Sequence, residues 1–202
     1  MPSSKVLEGG IAKFESSLER DFFVLLEFNA EVQRWDPQPV RIRIDETSRD
    51  YVPDVLVTFH PEPGSQESQR TLYEVKYRDD LRRNWTHYRP RFRAARRYAS
   101  EQGWGFKIIT EKEIRSGGLL WNAKFLLPYA YDEPDDVGAV LLETHLRRLG
   151  ISTPNALLKA SSKDRWEQAR LLSTLWNLVA CGYVSAELTT RLNMDSEIWL
   201  HE

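Results

Sequence analysis

The sequence predicts an α/β fold, in which a mixed β-sheet is flanked by helices and a small, mainly helical domain follows. Three observations lead to this prediction. Short β-rich runs alternate with longer amphipathic runs over the first two thirds of the chain. The last third has mostly helical apolar spacing. The acidic, proline-containing segment 131–136 separates the two parts, so domains are expected at 1–132 and 133–202.

The first domain has the expected order α-β-β-β-β-α-β-α. Ser16 and Glu19 form a capping box at the start of its first helix. The turn 60–69, rich in proline and serine, predicts that the strands on either side of it form a hairpin. The strands, of which the last is expected to be buried, lie at 31–35, 40–44, 51–59, 71–77 and 105–110. The helices lie at 16–29, 82–102 and 119–127.

The second domain is expected to contain three helices and then a small hairpin. Its helices lie at 137–149, from 154 onward and at 161–181, and its hairpin strands at 183–188 and 198–200. The third helix carries an apolar stripe, formed by Trp166, Ala169, Leu172, Leu175, Trp176 and Val179. Three short helices followed by a hairpin are typical of a winged-helix domain. An ordinary helical cap is an equally good interpretation of this pattern.

Composition excludes several classes of protein. The 202 residues include 28 Lys and Arg against 30 Asp and Glu, and this balance argues against an acidic disordered tail or a histone-like protein. No apolar run reaches the ~18 residues that a membrane span needs, and the first residues do not resemble a signal peptide. Cys181 is the single cysteine, so an intrachain disulfide and a cysteine-based zinc site are excluded. A cytoplasmic protein without membrane contact is expected.

The segment 76–97 concentrates positive charge, with nine Lys or Arg against two acids. Aromatic residues such as Trp85 alternate with these arginines. A solvated helix face would explain the pattern, and a surface that binds DNA phosphates would explain it as well. The arginines that we select as candidate DNA contacts are Arg78, Arg82, Arg83, Arg89 and Arg93.

A carboxylate–lysine pattern lies on the expected hairpin. Residues two apart on a strand share a face, so Glu74 and Lys76 point the same way, and pairing of the apolar faces brings Asp54 beside them. Two carboxylates hold Mg²⁺ through hard oxygen ligands, and a lysine stabilises negative charge in a transition state. A cross-strand ion pair on a solvated sheet face is the alternative. Glu19 is a further candidate acid, although helix capping would also explain it.

The motif Pro53-Asp54 … Glu74-Val75-Lys76 resembles that of the PD-(D/E)xK nucleases, whose domain has a restriction-endonuclease-like fold. More of the chain is similar to TnsA, the endonuclease subunit of heteromeric Tn7-like transposases. The further matching elements are 17–22, Gln38-Pro39, Gly103-Trp104, 108–111, Ile114-Arg115, Asn122 and 126–129.

The resemblance implies a Mg²⁺-dependent endonuclease, with Mn²⁺ as a substitute, that cuts double-stranded DNA at the 5′ ends of a transposon. It implies an integrase-type (TnsB-like) partner, an AAA+ (TnsC-like) regulator and a C-terminal winged-helix domain. Glu19, Asp54, Glu74 and Lys76 would be catalytic, and Glu19, Asp54, Glu74 and Val75 would hold metal. Gln38 is either a site residue or a turn residue. A non-catalytic DNA-binding assembly module and a stand-alone nuclease are the alternatives.

Overall fold

The structure, a computed structural model, describes residues 4–6, 14–44, 49–133 and 135–201. Its contacts divide the chain into two compact units, Met1–Ser116 and Gly117–Glu202. The expected boundary at 132/133 therefore differs from the boundary between these units. The reason is that the helix at Leu119–Ala130 packs within the second unit, where it contacts the helix at Arg165–Ala180.

The first unit contains a mixed sheet and a separate two-stranded ladder. Its helices are α1 (Ser17–Phe28), α2 (Arg78–Glu101) and α3 (Glu111–Arg115). Its strands are β1 (Val32–Pro37), β2 (Ile42–Ile44), β3 (Arg49–Tyr51), β4 (Val55–Phe59), β5 (Arg70–Val75) and β6 (Gly105–Ile109). The sheet has the order β1-β4-β5-β6, while β2 and β3 pair with each other. This arrangement fits the expected restriction-endonuclease-like domain.

Strand pairing makes the sheet mixed. β4 is antiparallel to both β1 and β5, whereas β5 and β6 run parallel across the connection made by α2. The hairpin expected on either side of segment 60–69 is thus confirmed. The run 51–59, expected as one strand, is instead two strands separated by a bend at 52–54. Pro53 lies in that bend, and a proline cannot donate to a strand ladder.

Apolar residues cover both faces of the sheet. On one face, side chains of α1 and α3 pack with strand residues that include Trp35, Val55, Tyr73 and Val75. On the other face, the β2–β3 ladder and the alanines of α2 pack against Leu56 and Leu72. The sheet is therefore the middle layer of three, as expected for a sheet flanked by helices.

Three details of the first unit differ from the sequence prediction. β6 is half-buried or exposed rather than buried, because it is an edge strand of the sheet. The short helix α3 was not predicted, although Thr110 and Glu113 form a full capping box at its start. α2 begins at Arg78, earlier than expected, and its backbone is kinked at Asn84.

The second unit contains helices followed by a small hairpin. The helices are α4 (Leu119–Ala130), α5 (Asp136–Leu149), α6 (Pro154–Ser161) and α7 (Arg165–Ala180), and the strands are β7 (Val184–Ala186) and β8 (Ile198–Leu200). β7 and β8 pair antiparallel, and Ser152 forms a bridge to Ile198. The predicted stripe on α7 is wrong at Trp166, which is 87% exposed, and at Ala169, which is also exposed, because the buried positions of this helix begin at Leu171.

One fully buried amide organises the loop between β7 and β8. The Asn122 side chain donates to the carbonyls of Leu188 (2.9 Å) and Thr190 (2.7 Å), and it accepts from the amide of Leu192 at 2.9 Å. A Cβ on Gly118 would collide with the backbone of Thr190. The loop therefore lies close against the start of α4, where position 118 has no room for a side chain. In the described part of the chain, no helix is long and apolar enough to cross a membrane.

Candidate active site

Three charged side chains meet where β4 and β5 lie side by side. Lys76, which directly follows β5, places its Nζ 2.9 Å from Glu74 Oε1 and 3.2 Å from Asp54 Oδ2. The same ammonium lies 3.1 Å from the carbonyl oxygen of Val75. The structure thus brings together the residues that the carboxylate–lysine pattern placed on one face.

Strand alternation explains this placement. Tyr73 and Val75 point into the core on the α1 side, so Glu74, between them, points to the α2 side. Asp54 lies in the bend before β4, and its Oδ2 accepts the amide hydrogen of Val75 at 2.7 Å. This backbone contact fixes the Asp54 carboxylate against β5.

Gln38 supports the backbone of the site. Its amide donates to the carbonyl of Asp54 at 3.0 Å, and its φ of 48° places it in the left-handed region. Its side-chain amide donates to Glu15 at 2.8 Å. Gln38 thus contacts the main chain of Asp54 and not its carboxylate, which is the geometry of a turn residue.

Tyr51, which the sequence prediction missed, also belongs to this cluster. It ends β3 and is buried, and its hydroxyl donates a hydrogen bond to Glu74 Oε2. The sequence signal was weak, because a tyrosine at the end of a β-rich run is usually a core residue. Its connection to Glu74 depends on the separate β2–β3 ladder, which no local pattern predicted.

Burial and mutual repulsion shift the acidity of these groups. Burial and the nearby charge of Glu74 raise the pKa of Asp54 to about 7, against the opposing effects of Lys76 and the Val75 amide. Burial alone would lower the pKa of Lys76, but the charges of Glu74 and Asp54 outweigh it and raise that pKa. Burial and Glu74 also raise the pKa of Tyr51. These shifted pKa values distinguish the cluster from an ordinary surface ion pair, whose groups are solvated.

Glu19 lies at the start of α1 with its carboxylate turned to the helix end. It accepts hydrogen bonds from the Ser16 hydroxyl at 3.0 Å and from the Glu15 amide at 2.9 Å. Its charge still contributes to the raised pKa of Asp54. The capping interpretation therefore describes its contacts here, and its metal-binding role stays a prediction. Asp21, the neighbouring acid, pairs with Arg115 at 2.7 Å.

The candidate DNA-contacting arginines lie on α2. Arg82, Arg83, Arg89 and Arg93 are exposed, while Arg78 is half-buried and its amide donates to Glu111 at 2.9 Å. Their role in binding stays a prediction. Arg91, which was not selected, is half-buried, and its charge acts on both Tyr51 and Tyr88. The charge of Arg91 thus acts on Tyr51, the residue that donates a hydrogen bond to Glu74.

The donor set fits a hard divalent cation. Oxygens of Asp54, Glu74 and Val75 already surround one cationic group, the Lys76 ammonium, within hydrogen-bonding distance. Mg²⁺ prefers such oxygens and is commonly held by one or two carboxylates. Among the described residues no group of three or more His, Cys, Asp or Glu side chains is placed to hold a metal. The fit therefore rests on two carboxylates and one carbonyl.

Comparison with known proteins identifies the domain that carries this cluster. Residues 29–111 match the family model described as TnsA-like endonuclease N terminal. No curated protein sequence matches the chain significantly. The matched range includes Asp54, Glu74, Val75 and Lys76, whereas Glu19 precedes it. The part of the chain that holds the carboxylate–lysine cluster is therefore similar to TnsA-like endonuclease N-terminal domains.

Proposed function

We propose that this protein is the Mg²⁺-dependent DNA endonuclease subunit of a Tn7-like heteromeric transposase, which hydrolyses phosphodiester bonds at the 5′ ends of the transposon. One observation carries the proposal. Within the TnsA-like domain, Lys76 Nζ lies 2.9 Å from Glu74 and 3.2 Å from Asp54, although Lys76 follows Asp54 by 22 positions in the sequence.

Each residue of the cluster has a distinct part in this proposal. Asp54, Glu74 and the Val75 carbonyl would hold Mg²⁺, with Glu19 as a further acid. Mg²⁺, when bound, polarises the scissile phosphate and lowers the pKa of a water molecule. Lys76 keeps its positive charge at neutral pH because the charges of Glu74 and Asp54 outweigh the burial that would otherwise lower its pKa. Its ammonium would orient the attacking water or offset charge that develops on the phosphate. The products would carry 5′-phosphate and 3′-hydroxyl ends.

α2 would guide DNA to the cluster. The helix starts two residues after Lys76 and exposes four of the five candidate arginines. Exposed arginines bind phosphates through charge and carry no sequence information, so this surface positions the duplex rather than reading its bases. Site choice would then come from the partners, a TnsB-like subunit that processes the 3′ ends and a TnsC-like AAA+ regulator.

The second unit would be a winged-helix-like domain for DNA or partner contact. Two features support this proposal. The helices α5, α6 and α7 precede an antiparallel hairpin, and Ser152, in the segment between α5 and α6, forms a β-bridge to Ile198 at the start of β8. The loop between its two strands is held against α4 by Asn122. This fixed loop suits a preformed surface better than a segment that inserts on binding.

The test is cleavage of transposon-end DNA with Mg²⁺ in the presence of the partner transposase. Asp54→Asn should lower the cleavage rate at least about 100-fold, because it removes a ligand of a metal that contributes several kcal/mol to transition-state stabilisation. Asp50→Asn is the matched control, since Asp50 is an exposed carboxylate on β3 that pairs with Arg41. Equal cleavage by Asp54→Asn and wild type would refute the assignment.

Cleavage should also require assembly. The basic surface on α2 binds phosphates without selecting sequence, so an enzyme active by itself would cut DNA at random. We expect the free protein with Mg²⁺ to leave supercoiled plasmid intact over a period in which the complete set of subunits cuts transposon ends. Rapid, unselective nicking by the free protein would instead support the stand-alone nuclease.

A further inference from the structure

The hydrogen bond from Tyr51 divides the two oxygens of the Glu74 carboxylate between different neighbours. Oε2 accepts the Tyr51 hydroxyl, and Oε1 lies 2.9 Å from Lys76 Nζ. A carboxylate held at both oxygens cannot rotate about its terminal bond without losing a contact. Glu74 therefore presents Oε1, and not both oxygens, to the point where the oxygens of Asp54 and Val75 converge.

Tyr51 is itself rigidly held. It pairs with Ile42 across the β2–β3 ladder, and it is 5% exposed. It belongs to the core cluster that includes Leu72, Ala94 and Ala95, so its ring is packed between the sheet and α2. A buried aromatic side chain in such packing keeps one rotamer. The position of the hydroxyl is thus set by the fold and not by the charged cluster.

We infer that Tyr51 is a positioning residue of the proposed metal site, which holds Glu74 so that a single oxygen faces the cation. This inference rests on the proposed function. A group that orients a metal-binding carboxylate commonly changes metal affinity or activity 10–100-fold when it is removed. Tyr51 acts through Glu74, because among the described residues its hydroxyl makes no hydrogen bond to the oxygens of Asp54 or Val75.

Loss of the hydroxyl has a definite consequence. In Tyr51→Phe, Oε2 of Glu74 remains buried without a donor, and a buried unsatisfied acceptor is costly. The carboxylate can recover a partner by turning both oxygens to the Lys76 ammonium, because the Tyr51 contact no longer restrains it. Such a turn withdraws Oε1 from the position it shares with Asp54. We therefore expect weaker binding of a divalent cation with the fold intact.

The experiment measures the dissociation constant of Mn²⁺ by calorimetry on the whole protein without DNA. Tyr51→Phe should weaken Mn²⁺ binding about tenfold or more. Tyr73→Phe is the matched control, because Tyr73 is a buried tyrosine on β5 that points to the opposite face of the sheet from Glu74. It should bind Mn²⁺ within about twofold of wild type. Circular dichroism and thermal melting establish that each variant is folded.

A double-mutant cycle separates positioning from general structural damage. In a Glu74→Gln background, Tyr51→Phe should have little further effect on Mn²⁺ affinity, because the oxygen that it positions is no longer a carboxylate. The same loss in both backgrounds, or a loss equal to that of Tyr73→Phe, would overturn the inference. Asp54→Asn tests the proposed function separately. If it binds Mn²⁺ as wild type does, the cluster is not a metal site and both proposals fail.

Discussion

Each unit contains a group of buried polar contacts, and the two groups differ in charge. In the first unit the buried group is charged, with Glu74 2% exposed and with Asp54 and Lys76 largely covered. In the second unit it is neutral, the fully buried amide of Asn122. Both groups have several hydrogen-bond partners. The difference lies in what those contacts accomplish.

Asn122 binds only backbone groups, and its three hydrogen bonds connect α4 to the loop before β8. A neutral amide satisfied in this way stabilises one arrangement of the chain. The charged cluster instead places two acids side by side, and burial, followed by the repulsion from Glu74, raises the pKa of Asp54. Its internal contacts balance the charge without removing that repulsion. We therefore interpret the Asn122 contacts as architectural and propose that the charged cluster binds a cation.

The largest expected effect comes from Lys76→Met. Removing the ammonium leaves Asp54 and Glu74 as an uncompensated buried pair, so the free energy of unfolding in EDTA should fall by about 3–5 kcal/mol. Lys107→Met is the control, because Lys107 is exposed on β6. Urea unfolding at pH 7 measures both. A loss below about 1 kcal/mol would mean that the cluster behaves as an ordinary surface ion pair.

The next largest loss of stability is expected from Asn122→Ala. It leaves two carbonyls and one amide without partners and creates a cavity, for an expected loss of about 2–4 kcal/mol in the second unit. Mg²⁺ should not change that loss. The control is Asn155→Ala, since Asn155 bonds at the surface to Asp195. Hydrogen exchange at the amide of Leu192 reports the result, and unchanged protection there would contradict the structural role.

The raised pKa of Asp54 predicts a pH dependence of stability without metal. Because the folded pKa, about 7, exceeds the unfolded value, the folded protein holds this proton more tightly. The stabilisation from protonated Asp54 is complete below pH ~4 and is lost as the pH rises through 7. As the pH rises from ~4 through 7, the free energy of unfolding of Asp54→Asn should therefore increase relative to that of wild type by on the order of 1–3 kcal/mol. Parallel stability curves for the two proteins would show that the pKa is not raised.

The smallest effect is expected from single arginines of α2. Arg83→Gln or Arg89→Gln should each weaken DNA binding a few-fold. Each should also reduce, by about one, the slope of the logarithm of the binding constant against the logarithm of the salt concentration. Lys107→Gln should change neither, because Lys107 pairs with Tyr73 in register and so lies on the opposite face of the sheet from Glu74. Fluorescence anisotropy across a salt series measures these slopes. Equal slopes for all three variants would exclude α2 as the DNA surface.

Local patterns in the sequence were sufficient for much of the fold. The 3.6-residue spacing predicted α1 nearly to the residue, and strand alternation predicted that Glu74 and Lys76 share a face. The prediction of a single strand over 51–59 was wrong, because a proline in a β-rich segment does not reveal whether the chain bends. The prediction that β6 is buried was wrong, because apolar composition does not distinguish an edge strand from a central one.

The site was predictable only where one hairpin supplies it. Asp54 lies in the bend that leads into β4, and Glu74 and Lys76 lie at the end of β5, so alternation and pairing suffice to bring them together. Tyr51 reaches Glu74 from another ladder, and Arg91 acts from α2, so both depend on packing between layers. The boundary at 132/133 differed from the contact boundary for the same reason, because α4 continues the first unit in sequence but packs on α7.

The most direct test of the claim that the charged cluster is a cation site is the stability of the protein as a function of Mg²⁺ concentration. A cation that binds only the folded state raises the free energy of unfolding with the logarithm of its concentration above its dissociation constant. We predict this rise for wild type and for Asn122→Ala, and its absence in Asp54→Asn. An identical Mg²⁺ response in wild type and Asp54→Asn would contradict the account.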